Sequence, residues 1–247
     1  MKSKIALLAI VGNVLMAGGD IAPVEPVTPE VVVNDSWNVY GSLYVFAAGI
    51  GGETVDGHSF DTSFSDILDN LDMTYMGTIG MEKGKWALQT DLIYLKVGDK
   101  PNLPVDQQLV LTNIQLKNWI ITPTVSYRIV ETDQWNVNVL AGARYLYINA
   151  DITISPLPEI SESDHVWDGI VGFKGDYTIN EKWFMPFAFD VGTGDSDSTW
   201  QAFAGVGYKY ENFDVIAGYR HLEWEFDNDD VLDSLDVSGP IVGIKYR

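Results

Sequence analysis

Residues 166–179, VWDGIVGFKGDYTI, sort their side chains by position. Every charge in the segment lies at an even position: Asp168, Lys174 and Asp176. Every aromatic ring lies at an odd position: Trp167, Phe173 and Tyr177. Because successive side chains of a β-strand point to opposite faces, the segment predicts a strand with one ionic face and one face of rings and aliphatic side chains.

The same division recurs along most of the chain after Trp37. It is visible in WALQTDLIYL (86–95), WNVNVLAGARYLYI (135–148), KWFMPFAFDVG (182–192), WQAFAGVGYKY (200–210) and FDVIAGYRHLEW (213–224). If the rings face outward, the charged side chains line an enclosed interior. The predicted lumen-lining charges are Asp91, Arg128, Arg144, Asp168, Lys174, Asp176, Asp190, Lys209, Asp214, Arg220 and Lys245.

The breaks between the predicted strands alternate between short and long. The strands are predicted at residues 37–49, 72–82, 85–97, 113–130, 135–151, 166–179, 183–192, 199–210, 213–226 and 236–246. The short breaks are residues 82–85, 131–134, 180–182 and 211–213, and the long breaks are residues 50–71, 98–112, 153–164, 193–198 and 227–235. This alternation is typical of an up-and-down barrel in the bacterial outer membrane. We therefore predict an all-β, closed antiparallel transmembrane barrel of about ten strands, with eight or twelve as alternatives.

The cost of placing charge in lipid decides which face is outside. A Lys or Arg on the lipid face at the bilayer midplane costs about 2–4 kcal/mol, and an acid costs less. The charged positions are therefore expected to face the lumen. A soluble secreted barrel such as a lipocalin is the alternative, but it alternates with the opposite polarity, apolar inside and polar outside.

Aromatic residues concentrate beside the short breaks. These rings are Trp86, Trp135, Trp183, Tyr210 and Phe213. Trp and Tyr accumulate at membrane interfaces, so the five residues predict an aromatic girdle at the periplasmic side.

The first 36 residues carry a targeting signal and a leader. Lys2 and Lys4 precede an apolar run of about 13 residues, which is shorter than the roughly 20 of a spanning helix. Small residues at Ala17 and Gly19 complete a secretory signal peptide, predicted at residues 1–19. A Pro-rich periplasmic leader is predicted at residues 20–36, and the barrel at residues 37–247. The absence of Cys agrees with passage through an oxidising periplasm.

The last residues, SGPIVGIKYR, resemble the C-terminal strand of outer-membrane barrels, which the barrel-assembly machinery reads. Pro240, Val242, Ile244 and Tyr246 fit the alternating apolar set of that strand. The usual terminal Phe is missing after Tyr246 and Arg247: either one residue has been lost, or this protein uses Tyr246 in its place. The segment SFSDILDNLDMTYMGTIGMEKGKWALQTDLIYLKV also resembles small porin-like proteins. The resemblance implies an outer-membrane β-barrel inserted by that machinery, without implying an activity.

One short amphipathic helix is expected inside the first long break. Phe64, Ile67, Leu68 and Leu71 follow the i, i+3, i+4, i+7 spacing, with Ser63 or Ser65 as the cap. It is interpreted either as a plug that folds into the barrel mouth or as a loop helix on the rim.

The lumenal ions have two interpretations as well: a narrow polar passage, or a paired network that fills the interior. Ten strands lie nearer to the filled size, which about eight strands give.

Metal binding and catalysis have little support in the sequence. The acidic segment 227–236 has D-x-D spacing, but it lacks the Gly and bidentate Glu of an EF-hand, so a solvated loop is expected rather than a calcium site. Among the three histidines, His58, His165 and His221, His221 falls on the lipid-facing parity. No nucleophile or metalloprotease motif is present. We expect neither an enzyme nor a cofactor or metal.

The expected function is a non-enzymatic outer-membrane barrel, either structural or a narrow passive pore for small solutes. A surface binding protein that acts through its acidic outer loops is the alternative, and a rim hydrolase is a further one. The expected partners are outer-membrane lipid, lipopolysaccharide and the assembly machinery. The net charge of −20 excludes nucleic acid, because phosphate binding requires basic clusters.

Overall fold

The computed structural model describes residues 36–54, 57, 59–69, 71–99, 103–106, 109–155, 160–226 and 232–246. These residues contain thirteen β-strands and one α-helix. The elements are β1 (Asn38–Phe46), β2 (Gly49–Thr54), β3 (Ser59–Thr62), α1 (Phe64–Asp69), β4 (Leu71–Lys83), β5 (Trp86–Asp99), β6 (Leu103–Asp106), β7 (Leu109–Glu131), β8 (Trp135–Ser155), β9 (Ile160–Thr178), β10 (Trp183–Gly194), β11 (Ser198–Lys209), β12 (Phe213–Glu225) and β13 (Leu232–Tyr246). The predicted signal peptide and the leader up to residue 35 lie outside the described residues, as do His58 and residues 227–231.

Ten of these strands form a closed antiparallel barrel. The order around the wall is β1, β4, β5, β7, β8, β9, β10, β11, β12 and β13, and β13 pairs with β1 to complete the ring. Closure runs from Gly41 opposite Tyr246 to Phe46 opposite Ile241. A closed sheet leaves no unpaired edge along this stretch, which satisfies the backbone without water. The predicted fold class and strand number are confirmed.

Tight connections gather at one end of the barrel, here called the turn end, and the opposite end is called the loop end. The turn between β4 and β5 uses Gly84 at φ 59°, a left-handed conformation that glycine adopts without strain. The turns before β8 and β10 are held by side chains, because Thr132 Oγ1 and Asn180 Oδ1 each accept the backbone N–H of the next strand's Trp at 2.9 Å.

The outer surface of the wall is apolar. Aliphatic side chains on the predicted outward parity are highly exposed, with Ile79 at 66% and Val171 at 59%. The outward residues Val242, Ile244 and Tyr246 of β13 continue this surface. Such a band would be unfavourable in water, and it matches the hydrocarbon-facing surface of transmembrane barrels.

Two belts of aromatic rings border the apolar band. At the turn end, ring centroids are 4.8 Å apart for Trp86 and Tyr127, 4.7 Å for Trp135 and Tyr177, 5.0 Å for Trp183 and Tyr208, and 4.8 Å for Tyr210 and Phe213. The five predicted girdle residues all lie in this turn-end belt. At the loop end, the belt contains Tyr94 with Trp119, Tyr145 with Trp167, and Trp200 with His221.

The separation of the belts fits a bilayer. On β9, Trp167 of the loop-end belt and Tyr177 of the turn-end belt are ten residues apart. Ten residues span about 33 Å along a strand, or about 25 Å along the axis at a tilt of about 40°. An apolar band about 25 Å tall is the usual height in outer-membrane barrels.

The long loops are more ordered than the sequence indicated. Residues 50–71 were expected to form a loop with one helix, but this stretch contains β2 and β3, and β2 continues the sheet beside β13. The helix ends at Asp69, so the prediction that Leu71 belongs to it is wrong: Leu71 opens β4 and pairs with Val97. Helix α1 packs against β2 at the loop end, and Ile67 is buried.

Strands β7, β8 and β9 are also longer than predicted. They run 23, 21 and 19 residues and project well beyond the loop-end belt. Their tips pair with one another outside the band, where the requirement for apolar outward positions no longer applies. No helix within the described ranges is long and apolar enough to cross a membrane.

A charge placed in the middle of the band tests this orientation. Val171→Arg puts a guanidinium on the outer wall between the two belts, and we expect it to lower the free energy of unfolding by about 2–4 kcal/mol. Ile129→Arg is the matched control: it also replaces an exposed aliphatic side chain, but at the turn-end margin, where the cost is about 0–1 kcal/mol. Chemical denaturation in phospholipid vesicles measures both, and equal costs would contradict the orientation.

Candidate functional site

The lumen is arranged in three layers along the barrel axis. On β5, the inward side chains from turn end to loop end are Gln89, Asp91 and Ile93. On β12 the ionic Arg220 is likewise followed towards the loop end by the apolar Leu222 and Trp224, and on β8 Arg144 is followed by Leu146. We call the three layers the vestibule, the ion network and the apolar cap.

The first half of the ion network is centred on Arg220. Its Nη1 donates to Asp91 Oδ2 at 2.9 Å and to the Tyr44 hydroxyl at 3.3 Å. Its Nε and Nη2 donate to Gln201 Oε1 at 3.0 and 2.6 Å. Asp91 Oδ1 also accepts from Tyr44 at 2.7 Å and from Thr78 at 2.9 Å. Because Arg220 is on β12 and Asp91 on β5, this ion pair crosses the lumen.

The second half is centred on Arg144. Its Nη2 donates to Asp190 Oδ1, and its Nη1 donates to Thr199 Oγ1 at 2.8 Å. Gln201 Nε2 donates to Asp190 Oδ2 at 3.1 Å and so joins the two halves. The joined network draws side chains from seven of the ten barrel strands: β1, β4, β5, β8, β10, β11 and β12.

The apolar cap lies on the loop-end side of the network. Its buried members are Phe46, Ala48, Ile93, Ile120, Leu146, Leu222, Trp224 and Leu235. Leu222, Trp224 and Arg144 have 0% exposure. Both guanidinium groups face cap rings, with Arg144 Cζ 5.8 Å from the Trp224 centroid and Arg220 Cζ 5.7 Å from that of Phe46. Cap and network therefore form one packed partition.

The vestibule lies on the turn-end side of the partition. It is a cavity of about 330 Å³, lined by Tyr40, Glu82, Gln89, Thr122, Ser126, Arg128, Asn138, Lys174, Asp176 and Lys245 among others. The side chain of Glu82 keeps 42% of its exposure, so the cavity opens to solvent at the turn end.

The barrel fold is similar to that of solved outer-membrane proteins. The outer membrane protease OmpT of Escherichia coli superposes with a TM-score of 0.54 at 10% identity, covering 89% of this chain and 99% of that chain. The chain has the fold of an outer-membrane β-barrel. The translocator domain of the autotransporter NalP from Neisseria meningitidis gives a TM-score of 0.46 at 12% identity, with 87% and 90% coverage. The Ail protein of Yersinia pestis gives 0.40 at 13% identity, with 85% and 97% coverage. No family model and no curated protein matches the sequence.

The eleven charged residues predicted for the lumen of this outer-membrane barrel occupy different layers. Four belong to the ion network: Asp91, Arg144, Asp190 and Arg220. Four line the vestibule: Arg128, Lys174, Asp176 and Lys245. Asp168 lies opposite Arg144 on β9 and accepts the backbone N–H of Ser196 at 3.0 Å. Lys209 lies over the Phe184 ring, and Asp214 is its neighbour across β11 and β12.

Sequence reasoning missed the neutral members of the network. Thr78, Thr199 and Gln201 have the same inward parity as charged residues on their strands, and that parity is the signal that identifies them. Strand β1 contains no charged residue, so its sequence gives no such signal for Tyr44. The apolar cap was missed for a different reason. In the segment HLEWE of β12, Leu222 and Trp224 share the inward parity of Arg220, but outward ionic residues obscure the pattern.

Two of the histidines considered for catalysis are described. His221 faces outward, where Nε2 lies 2.9 Å from Glu223 Oε2 and the ring lies 4.5 Å from that of Trp200. His165 is exposed near the loop end, 6.5 Å from the Tyr145 ring. In the described segments, no three His, Cys, Asp or Glu side chains lie close enough to hold a metal ion.

A separate polar cluster lies beyond the loop-end belt on the projecting tips of β7, β8 and β9. Lys117 Nζ donates to Asp151 Oδ2 at 2.9 Å, and Ser161 Oγ donates to Asp151 Oδ1. The Ser161 hydrogen bond, followed by that of Lys117, lowers the pKa of Asp151, and the bond to Asp151 raises the pKa of Lys117. The contribution of this pair to the free energy of unfolding is therefore present above the pKa that Asp has in the unfolded chain. At acid pH it is lost as the pH falls through the lower pKa of Asp151 in the folded protein. At alkaline pH it is lost as Lys117 deprotonates.

Removal of one partner tests the buried pair Arg144–Asp190. We expect Arg144→Met to cost about 3–5 kcal/mol of unfolding free energy, because it leaves the Asp190 carboxylate buried and unpaired. The double variant Arg144→Met with Asp190→Leu removes both charges and is expected to recover most of that loss. Denaturation in vesicles measures both variants. A single variant within about 1 kcal/mol of wild type would contradict the network's role.

Proposed function

We propose that the protein is a non-enzymatic barrel of the bacterial outer membrane with a closed lumen, and therefore a structural membrane protein rather than a passive pore. Its turn end faces the periplasm and its loop end faces outward, as in barrels with tight periplasmic turns. The belt separation of about 25 Å supports residence in a bilayer.

The observation that carries the closed lumen is the partition formed by network and cap. Arg144, Leu222 and Trp224 are fully buried at the centre of the barrel. A solute moving along the axis would have to break the Arg220–Asp91 and Arg144–Asp190 pairs and displace the cap rings. A barrel of ten strands is also near the size at which side chains fill the interior.

The placement of His221 supports a non-enzymatic role. The His221 ring lies against Trp200 on the outer surface, away from the lumenal carboxylates. The lumenal carboxylates Asp91 and Asp190 are each paired with a guanidinium group rather than with a nucleophile. OmpT is a protease, but at 10% identity the similarity extends to the fold alone.

The projecting tips of β7, β8 and β9 favour a second candidate, a surface binding protein. On β7, ten residues separate Trp119 of the loop-end belt from Leu109, and on β8 ten separate Tyr145 from Ser155. At about 3.3 Å per residue this is about 33 Å of paired strand beyond the band. The Lys117–Asp151 cluster lies on this sheet, on the cell-exterior side of the membrane.

Conductance in planar lipid bilayers tests the closed lumen. We expect the wild-type barrel to be silent. The double variant Arg144→Ala with Trp224→Ala removes two contacting parts of the partition and is expected to show discrete conductance steps. Trp200→Ala, which removes a ring from the outer surface, is the matched control and stays silent. Discrete steps from the wild-type protein would overturn the proposal.

A further inference from the structure

The projecting tip of β9 has a neighbouring strand on one side only. Strand β8 pairs with β9 as far as Ile160, whereas β10 pairs with it only up to Gly194 opposite Asp168. In the part of the chain that the structure describes, no strand lies beside residues 160–166 on the β10 side. We call this side of residues 160–166 the β9 edge. The opposite edge of the projecting sheet is covered, because β5 and β6 both pair with β7 there.

The backbone of the β9 edge directs hydrogen-bonding groups outward at every second residue. Trp167 O accepts from Asp195 N at 3.0 Å, and Trp167 N donates to Asp195 Oδ2 at 2.9 Å. Trp167 therefore directs its N–H and C=O towards the β10 side. Because these directions alternate along a strand and the register with β8 is unbroken, Ser161, Ser163 and His165 direct theirs to the same side. These are the groups that a further strand pairs with.

The β9 edge is open to solvent. Ser161, Ser163, Asp164 and His165 are all exposed. One backbone group is capped locally, because Asp164 Oδ1 accepts the His165 N–H at 2.7 Å. A charged side chain at an edge is one of the ways in which proteins prevent unselective strand pairing. A partner that brings a cation to this place can draw the carboxylate away and take over its hydrogen bond.

The surroundings of the β9 edge are acidic. The segment EISESDH, residues 159–165, contains three acids and no Lys or Arg. Asp195, in the turn between β10 and β11, is exposed at the base of the edge. Pairing of two β9 edges would bring like charges together, which is unfavourable between adjacent strands. The charge therefore disfavours a second copy of this chain and favours a strand that carries Lys or Arg.

Strand addition to an exposed edge is a general mode of peptide recognition. The main-chain hydrogen bonds supply affinity, and alternate side chains of the added strand supply specificity. Asp164 lies on the opposite face of the sheet from Ser163 and His165, because successive residues of a strand alternate between faces. Cations at every second position of an added strand can share the face of Asp164.

We propose that the β9 edge binds an extended basic segment of another protein by strand addition. The added strand pairs with the backbone of Ser161, Ser163 and His165, and its alternate Lys or Arg side chains lie on the face of Asp164. This inference deepens the surface-binding candidate above, and it rests on that candidate only for the position of the edge at the cell exterior.

A short capped peptide of alternating lysine and threonine is the probe. Fluorescence anisotropy of the labelled peptide with the full-length protein in zwitterionic micelles is expected to show saturable binding of one peptide per barrel. A peptide of alternating glutamate and threonine is expected to bind at least about tenfold more weakly, because its charge repels the edge. The lysine peptide with methylated backbone nitrogens is expected not to bind, because it has no N–H to donate.

Two substitutions at one position separate backbone pairing from side-chain contact. Ser163→Pro removes an N–H that points away from β8, so the pairing of β8 with β9 is kept and the barrel is expected to fold. The lysine peptide is expected to bind this variant at least about tenfold more weakly, because a hydrogen bond is lost and the proline ring obstructs the added strand. Ser163→Ala is the matched control: it keeps the N–H, and its affinity is expected to equal that of wild type. Equal affinities of the two variants would overturn strand addition.

The charge requirement is tested at Asp164. Asp164→Asn is expected to bind the lysine peptide several-fold more weakly, with a smaller dependence on salt, because one carboxylate of the edge is neutralised. Asp133→Asn is the matched control, because Asp133 is an exposed acid at the turn end, and its affinity is expected to be unchanged. An equal loss in both variants would overturn a site at the edge in favour of attraction to the net charge.

No binding of the lysine peptide by the folded wild-type protein would also overturn the proposal. So would a dimer in sedimentation velocity that Ser163→Pro dissociates, because a second copy would then occupy the edge. Binding in micelles that is absent on intact cells displaying the barrel would overturn only the outward orientation of the loop end. A conducting barrel that still binds the peptide would overturn only the closed lumen.

Discussion

The exclusion of ions from hydrocarbon is the constraint on which the rest of this structure depends. A barrel wall has only two faces, and the residues of each strand alternate between them. With rings and aliphatic side chains facing outward, the charges between the two aromatic belts must lie in the narrow lumen. Charges placed there have to find partners, because an uncompensated buried ion is strongly unfavourable. The pairs Arg220–Asp91 and Arg144–Asp190 follow from that requirement.

Ten strands leave little room, and the packing reflects it. Gln201 bridges the two guanidinium centres. Its Nε2 donates to Asp190, the partner of Arg144, and its Oε1 accepts from Arg220, so the two ion pairs belong to one partition. Glycines admit rings from neighbouring strands: a Cβ at Gly207 would lie 2.2 Å from Phe184, and one at Gly80 would lie 2.4 Å from Tyr40. Only at the turn end does the packing loosen into the vestibule, where Lys174 and Lys245 remain beside buried hydroxyls.

Much of the fold followed from the sequence because hydrocarbon enforces the alternation. The ten-strand barrel was predicted from parity and from the short and long breaks. Outside the band no hydrocarbon requires this alternation, so the sequence pattern that identifies strands is absent there. For that reason β2, β3 and the long tips of β7 to β9 were expected to be loops. Leu71 fitted a helical spacing, but strand pairing with Val97 outweighed it. Within the lumen, parity identified charged residues such as Arg144. It could not identify the partners across the barrel, because pairs such as Arg220 and Asp91 depend on the closure of the ring.

The most direct test of the inward and outward assignment is depth-resolved fluorescence quenching. The chain has eight Trp residues, so variants that keep one Trp each report on one face. In vesicles of lipids brominated along the acyl chains, we expect strong quenching of the fluorescence of a variant whose only Trp is the one introduced by Val171→Trp, in the middle of the band. A protein that keeps only Trp224, which is fully buried in the lumen, is expected to be quenched little. Strong quenching of Trp224 with weak quenching at position 171 would contradict the assignment on which the lumen, the network and the vestibule all rest.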